Sequence, residues 1–591
     1  MEYILVNSKN FKFCAEEILQ STRISLDFET SGLVQRQDCI VGCSIGNGIK
    51  AWYIPVRHLC NNVQVYNLYL LLNQINRSDI KIVFHNGKFD WKLAYLEGID
   101  LRINDDTILM ISQIDGGLKT ELESLIYHYF KIKKKNFIQT FGKDANLAYK
   151  APEDVYNYAC GDAEYTLKLY AKLQSLMTLK MNGKYKVEMD LIKPIAKIEL
   201  QGLKVDKKEL DKLKKKNEKE MGELYSRVIH EISSKISDEN VEINLNSPEQ
   251  IATILNSLYK VPLKSLKLSE KTGKYTADNK ILQRISIPIC SDIIGWKSKS
   301  KETGMYVNGW TPKIIPCNSK IYTSIRQTQA ATGRMASSEP NMQQVKKSVR
   351  NIIVPMDGFY FLSADYSQIE AKILLALAKS PAVKMINDGM DLHKVVGSLI
   401  FGKRPEDVTE KERAASKTVT YGTIYMQSAW ALAKQLNISE IEAKELQDNF
   451  YDFTQTREYI SNAMEEIRLN GYSETYGGKR RFFPNINLVN KYLRGAAERS
   501  AFNTIFQGTA GEIFKKGFLN TYNYINANWG MDSIKILLPI HDELLFEIAN
   551  EIDVNSIAPQ LQNQMETEFE GMFITTEAKW GYNWRDMEEI K

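Results

Sequence analysis

The chain of 591 residues carries 77 Lys and Arg against 72 Asp and Glu, a formal net charge of +5, with 43% hydrophobic, 10% aromatic and 25% charged residues. These are globular proportions, and they exclude a collagen, a mucin-like or disordered chain and a membrane bundle. At about 150 residues per domain the length suggests roughly four domain-sized units, so a single small binding module is excluded as well. The small positive excess permits local basic patches without requiring a nucleic-acid partner. Seven cysteines with no CxxC spacing point to a reducing compartment, away from a disulfide scaffold or a structural zinc site. No cationic leader followed by an apolar core opens the chain, and apolar runs such as Ile373 to Ala378 fall far short of the ~18 residues of a membrane span. A soluble protein without a signal peptide or a membrane partner is the expectation.

In chain order, residues 23–29, 40–46, 49–56 and 80–86 are short apolar, β-branched runs that read as strands, and Val155 to Met177 reads as a helix. That alternation predicts an α/β layer domain ending near residue 185. Lys204 to Ser237, dense in Lys and Glu with Leu210, Leu213, Met221 and Leu224 at helical spacing, reads as a long helix, either merely solvated or also tracking phosphates. Residues 248–309 read as mixed loops, with the lysine-rich stretch 264–280 as a mobile basic loop. Beyond Ile321, strands at 359–365, 534–540 and 543–548 are separated by long helical segments.

Asp27 and Glu29 flank Phe28, and strand alternation puts both carboxylates on one face, where they repel unless a cation lies between them. Asp90 follows a strand in His85-Asn86-Gly87-Lys88-Phe89-Asp90, and Tyr158 and Asp162 lie four apart on one helical face. Farther on, Asp365 ends a strand that runs into a helix, with Ser367 and Glu370 at capping-box spacing. His541-Asp542 forms a tight turn between two apolar strands, which aims Asp542 out from the hairpin tip. Arg413, Lys417, Tyr421 and Tyr425 recur every four residues, two cations followed by two rings on one helical stripe. Such cations suit a triphosphate and such a ring suits a base.

Four acids and a tyrosine in the first order resemble the three motifs of the DEDDy group of 3′ to 5′ exonucleases, over roughly residues 20–175. The later set (residues 332–344, 365–370, the stripe, and His541-Asp542-Glu543) resembles family A DNA polymerases from about residue 190 onward, including segments 244–255 and 498–510. More than ten fixed positions at about one in twenty each make coincidence negligible. The resemblance implies an α/β RNase H-like exonuclease domain (1–185) followed by an α+β right-hand polymerase domain (186–591), with thumb about 190–320, palm about 321–381 and 482–591, and fingers about 382–481.

Carried over, the resemblance implies that Asp27, Glu29, Asp90 and Asp162 hold two divalent metals, with Tyr158 orienting the attacking water. Asp365 and Asp542, together with Tyr366, hold two more for nucleotidyl transfer. Hard oxygen ligands fit Mg²⁺, with Mn²⁺ able to substitute. Lys417 meets the triphosphate and protonates pyrophosphate, Arg413 and His393 brace the outer phosphates, and Gln368 also belongs to the nucleotide set. Tyr421 stacks near the incoming sugar and base, Tyr425 near the templating position, and Glu370 excludes a 2′ hydroxyl. Arg334, Asn503, Gln507, His541 and Arg499 contact the primer-template, whose minor-groove acceptors are similar for all pairs. Met426-Gln427, Ala371-Lys372 and Gln344-Val345-Lys346-Lys347 depart from the family pattern. The implied partners are primer-template DNA, dNTPs, single-stranded 3′ ends, and a helicase or primase of a replisome. No room for a 5′ nuclease is expected before Asp27. The abundance of Lys, Asn and Ile and the compact layout resemble organellar replicases of the apicoplast (plastid) type. Rival readings are a single-subunit RNA polymerase, opposed by Glu370 and the exonuclease motifs, and an inactive primer-template scaffold, opposed by the intact carboxylates.

Overall fold

The computed structural model describes residues 1–34, 36–236 and 242–590. Its first unit is a six-stranded mixed sheet of β1 (Glu2–Leu5), β2 (Arg23–Thr30), β3 (Ile40–Gly46), β4 (Lys50–Pro55), β5 (Lys81–Phe84) and β6 (Asp105–Asp106), in the order β1-β4-β3-β2-β5-β6. The β2–β3–β4 ladder is antiparallel, while β1, β5 and β6 run parallel to their neighbours. The apolar, β-branched strands are buried on both faces because helices cover both, which is why they read as continuous rather than alternating runs. The helix α1 (Pro152–Gln174) starts with proline in its first turn, where a missing N–H costs nothing, and crosses β1 to β4. Ser25 Oγ donates to the Ala163 carbonyl at 2.6 Å, pinning α1 onto β2.

Helix α2 (Leu179–Gln201) runs straight through the expected boundary at residue 185. Its Tyr185 hydroxyl holds Asp105 at 3.1 Å and its Ala196 joins the core of the first unit, while Leu191, Ile195 and Ile198 join the core of the second. The helix is thus shared between the units, and the break between elements falls at 175–178.

Helix α3 (Lys207–Ile236) is the long Lys/Glu helix. Its apolar residues Val228 and Ile232 form a separate small core with helices Pro248–Tyr259 and Pro288–Glu302, and Lys299 pairs with Glu220 at 2.7 Å. Residues 248–309 are therefore mostly helical rather than mixed loops, and the 264–280 stretch pairs Lys267–Leu268 with Tyr275–Thr276 in a short hairpin instead of a mobile loop. Ser247 and Asp278 accept backbone N–H groups and start two of these helices, a local signal that composition alone obscures.

The second sheet is antiparallel. It comprises β7 (Phe359–Tyr366), then, after helices α4 (Ile369–Leu377) and α5 (Glu410–Ile424), the hairpin β8 (Tyr472–Glu474) and β9 (Arg480–Phe482), and helix α6 (Lys491–Asn528), β10 (Ile534–Ile540), β11 (Glu543–Ala549), β12 (Thr576–Gly581) and β13 (Glu588–Glu589), with β10-β11-β7-β12-β13 forming the sheet. Helices between Ala382 and Asn470 pack against α4. The β8–β9 hairpin packs on α6 and meets the first unit, where Gly116 N–H donates to the Arg480 carbonyl at 2.9 Å. Among the described residues no helix is long and apolar enough to cross a membrane.

Candidate active sites

In the first unit, alternation along β2 turns Asp27 and Glu29 to the face where α1 delivers Asp162. Carboxylate oxygens of these three lie within 4.8 Å of one another. Asp90, in the first turn of the helix Gly87–Leu96, stands beside them but outside that set, its Oδ1 accepting the Phe28 N–H at 2.9 Å. Burial, then Asp162 and Asp90, pushes the Glu29 carboxyl up to about 8, and burial pushes Asp90 up to about 7. Asp27 and Asp162 are raised too, chiefly by burial. Four such acids cannot all ionise without a cation among them. Tyr158, one turn before Asp162, meets Phe137 and Phe141 edge to face.

One cation in this site was not expected. Lys134, between helices Leu122–Phe130 and Phe137–Phe141, places Nζ 2.6 Å from Asp162 Oδ1 and 4.0 Å from the Tyr158 ring centroid. Its sequence context, Lys131-Ile132-Lys133-Lys134-Lys135, is indistinguishable from a solvated basic loop.

In the second unit, β7 carries Asp365 to the end of the sheet, opposite Glu543 of β11 and Glu577 of β12 in register. Its side chain reaches solvent. The dense surroundings nevertheless push it up to about 7, through desolvation first and then Glu543, Asp542 and Glu577. Asp542 lies in the β10–β11 turn behind His541, whose φ is +53°. It does not point out from the tip. Oδ2 is 2.6 Å from Arg334 Nη2, and Oδ1 is buried without a hydrogen-bond partner. The same Arg334 nitrogen is 2.5 Å from Glu370 Oε1, and Glu370 Oε2 accepts the Tyr425 hydroxyl at 2.5 Å. Arg334, expected on the primer-template, here joins Asp542, the catalytic carboxylate candidate, to Glu370, the sugar-gate candidate. Removing one member of such a partly buried set costs on the order of 3–5 kcal/mol, because a carboxylate is left uncompensated.

The capping-box expectation is corrected, and Tyr366, His393 and Arg413 each have defined surroundings. Ser367 and Glu370 form no capping box: α4 is preceded by Gln368 at φ +55° with no side-chain cap, Ser367 donates to Glu577, and Glu370 is drawn to Arg334 and Tyr425. Tyr366 turns its hydroxyl to the Met565 carbonyl, so its side chain offers a metal nothing. His393 is buried with neither ring nitrogen partnered among the described residues, and burial lowers it to about 4. Arg413 is gripped by Asp391 through Nε at 3.1 Å and Nη2 at 2.8 Å, which leaves Lys417 as the exposed cation of the stripe.

A capping box does form on α5, between Thr409 and Glu412. Tyr421 and Tyr425 stack at 6.1 Å with 27° between planes, and Tyr421 also lies 5.8 Å from His393. Met426 ends α5 at φ +51°, and Gln427 folds back so closely that a Cβ on Gly422 would meet its Oε1 at 2.8 Å. Lys372, the other departure, is buried and donates to Thr575 Oγ1 at 2.9 Å. On α6, Arg499, Asn503 and Gln507 share one face at intervals of four. Arg499 is exposed, and Asn503 Oδ1 is buried without a partner.

Both carboxylate sets fit hard divalent cations: their donors are oxygens, and Glu29 Oε1 and Asp542 Oδ1 are buried and unpartnered.

Comparison with known proteins agrees with this geometry. Residues 207–586 match DNA polymerase family A, and residues 4–178 match a 3′-5′ exonuclease family. The chain is 30% identical over 577 residues to DNA polymerase I of Borreliella burgdorferi, covering 94% of this chain and 61% of that one. It is 28% identical over 583 residues to DNA polymerase I of Pseudomonas aeruginosa, covering 93% and 62%. The chain thus spans about three fifths of the length of these relatives. In fold it resembles the POL domain of Pol1 from M. smegmatis, solved in complex with DNA primer-template and dNTP, with a TM-score of 0.83 at 23% identity over 99% of this chain and 100% of that one. The chain belongs to DNA polymerase family A and carries a 3′-5′ exonuclease domain ahead of its polymerase domain.

Proposed function

We propose that the protein synthesises DNA from dNTPs on a primer-template and proofreads the product by 3′ to 5′ excision. The observation that carries this reading is the gathering of Asp365, Asp542 and Glu370 with Tyr421 and Tyr425 of the helix that also carries Lys417, beside a second, separate carboxylate cluster in the exonuclease domain. In synthesis the primer 3′ oxygen bonds to the α-phosphorus, the bond to pyrophosphate breaks, and the hydroxyl proton departs. Asp365 and Asp542 would hold two Mg²⁺ ions, which when bound lower the cost of the anionic attacking and leaving oxygens. Lys417, solvent-exposed on α5, meets the triphosphate and supplies a proton to the leaving pyrophosphate. Tyr421 carries the sugar and base, and Glu370 fills the space a 2′ hydroxyl would need. In excision Asp27, Glu29, Asp90 and Asp162 hold the metals, and Tyr158 orients the water.

Arg499, Asn503, Gln507 and His541 contact the primer-template, and Arg334 joins them once its carboxylates are engaged elsewhere. Replication and repair of organellar DNA, with an apicoplast as compartment and a helicase and primase as partners, belong to the same proposal. Support for that part is the Lys-, Asn- and Ile-rich composition and the compact layout, and co-localisation of the tagged protein with organellar DNA tests it. Primer extension with Mg²⁺ and dNTPs, run against rNTPs and against single-stranded 3′ ends without nucleotides, tests the activities. Absence of dNTP-dependent extension would overturn the reading.

A further inference from the structure

The exonuclease cluster holds a cation of its own, and its contacts differ from those of Lys88 and Lys92. Lys88 and Lys92 both clamp Glu199, and Lys88 also donates to the Ile325 carbonyl; these ammoniums are locked between elements. Lys134 is held otherwise. Its Nζ touches Asp162 Oδ1 at 2.6 Å and covers the Tyr158 ring at 4.0 Å, and makes no well-directed hydrogen bond among the described residues. Its stem passes over Gly161, where a Cβ would lie 3.6 Å from Lys134 Cε, so α1 meets the lysine through Asp162 and Tyr158 at the ammonium. The flanking Lys133 and Lys135 are exposed on the connection between two helices, so nothing packs over the segment that would have to move.

The ammonium therefore occupies oxygen lone pairs that a divalent ion at Asp27, Glu29 and Asp162 would need. A dication and an ammonium a few ångströms apart repel strongly in a low-dielectric site, whereas either alone relieves the repulsion among the carboxylates. We propose that Lys134 is a tethered counter-ion of the exonuclease carboxylates, holding the cation position in the metal-free chain and withdrawing when a divalent ion binds, so that it sets the metal affinity of that site. The proposal rests on the reading of this cluster as a divalent-ion site. Lys134 is a positioning residue here: it keeps the acids gathered before metal arrives, and its displacement is subtracted from metal binding.

The test uses the full chain carrying Asp365→Asn and Asp542→Asn, so that the palm does not bind ions, and follows free Mn²⁺ by electron paramagnetic resonance at one fixed pH. Lys134→Met and Lys134→Gln are expected to bind Mn²⁺ about tenfold more tightly, since no ammonium must be evicted, and Lys134→Arg to stay within about twofold of the parent. Near-UV circular dichroism confirms native packing, and two unlike replacements guard against one misfolding. Equal or weaker binding in folded Lys134→Met and Lys134→Gln overturns the counter-ion role. Adding Asp27→Asn with Glu29→Gln to the parent separates the two levels. If that loses the site while Lys134 variants are unchanged, only this inference fails; if Mn²⁺ binding survives it, the cluster is not the ion site and both readings fail.

Discussion

The two carboxylate sites of this chain face the same electrostatic problem and meet it in opposite ways. In the exonuclease domain, Asp27, Glu29 and Asp162 are gathered within 4.8 Å in a buried setting, and one lysine reaches in to relieve them. In the palm, Asp365 stays open to water while Asp542 is drawn aside by Arg334, which also holds Glu370. The first arrangement is assembled in advance, and a divalent ion has only to replace a flexible ammonium. The second is latched, and Arg334 must give up a carboxylate to which its own fold binds it before Asp542 can serve fully. A site that must digest any frayed 3′ end gains from being ready. A site that must reject wrong nucleotides gains from being completed only when the correct pair is in place.

The largest effects should come from breaking the palm. Asp365→Asn and Asp542→Asn are each expected to reduce primer extension by more than about 100-fold, a loss of over ~2.7 kcal/mol in the transition state. Primer-template binding should persist, because phosphate contacts elsewhere supply most of it. Extension above a few per cent of the parent in either variant would remove those two residues from the chemistry. Next, Asp27→Asn with Glu29→Gln should end digestion of single-stranded 3′ ends and leave extension within about twofold, since no ligand is shared between the two sites. A parallel fall in extension would show that α2, built into both cores, couples the sites far more strongly than their separation implies.

Two subtler changes probe the latch. Desolvation, and then Glu370, Asp542 and Asp365, raise the Tyr421 hydroxyl, which lies in the field of the palm carboxylates. In that position it can partner a phosphate oxygen when a substrate lacks its 3′ hydroxyl, an interaction worth ~1–3 kcal/mol. Tyr421→Phe should then discriminate against dideoxynucleotides by a further factor of roughly 5 to 150, read by single-nucleotide competition in the exonuclease-silenced chain. Equal selectivity in the two proteins would misplace the ring. Glu370→Ala should raise ribonucleotide use relative to deoxyribonucleotide about tenfold, ~1.4 kcal/mol. It also releases Tyr425 and Arg334, so its extension should be less dependent on opening the latch; unchanged sugar selectivity in a folded variant would make Glu370 a purely structural anchor.

What was legible in the sequence is what is local. Each candidate metal carboxylate lies on a strand end, a helix face or a hairpin turn that its immediate neighbours announce, so Asp27 with Glu29, Tyr158 with Asp162, and Asp542 in its turn could be placed without a fold. The counter-charges could not. Arg334 and Asp542 are separated by 208 positions, and Lys134 is one lysine in a basic run. The Ser367–Glu370 spacing misled because a capping pattern is satisfied by two side chains, and here both had stronger long-range partners, Glu577 for one and Arg334 with Tyr425 for the other. The thumb helices after residue 247 were read as loops because their polar composition hides the caps that start them.

One further expected effect, on stability rather than on activity, concerns a buried cation without a hydrogen-bond partner among the described residues, the reverse of both carboxylate sites. Lys479, in the turn of the β8–β9 hairpin, is 4% exposed, its Nζ has no hydrogen-bond partner, and burial lowers it to about 8. Around it stand Lys515 of α6, which lowers it further, and Glu188 of α2, Glu512 of α6 and Asp115 of the exonuclease domain, which oppose that shift. Those acids are already engaged: Glu188 with Lys515, and Glu512 with Thr475 and the Gly477 N–H. Below pH 8 the folded chain carries the buried charge in full. Between about 8 and the ordinary value of 10.5 the unfolded chain holds a proton that the folded chain has released, so stability from this group rises with pH across that window and falls as pH drops through it. Lys479→Met, of similar length and without the charge, should therefore stabilise the protein near pH 7 by on the order of 2–3 kcal/mol, and that advantage should shrink steadily as pH is raised from 8 to 10. Thermal unfolding midpoints of the two proteins across that range measure it. A Lys479→Met chain less stable at pH 7, or a difference that does not change with pH, would mean that the ammonium is paired in solution and that the junction between the exonuclease domain and the palm is held by its charge rather than in spite of it.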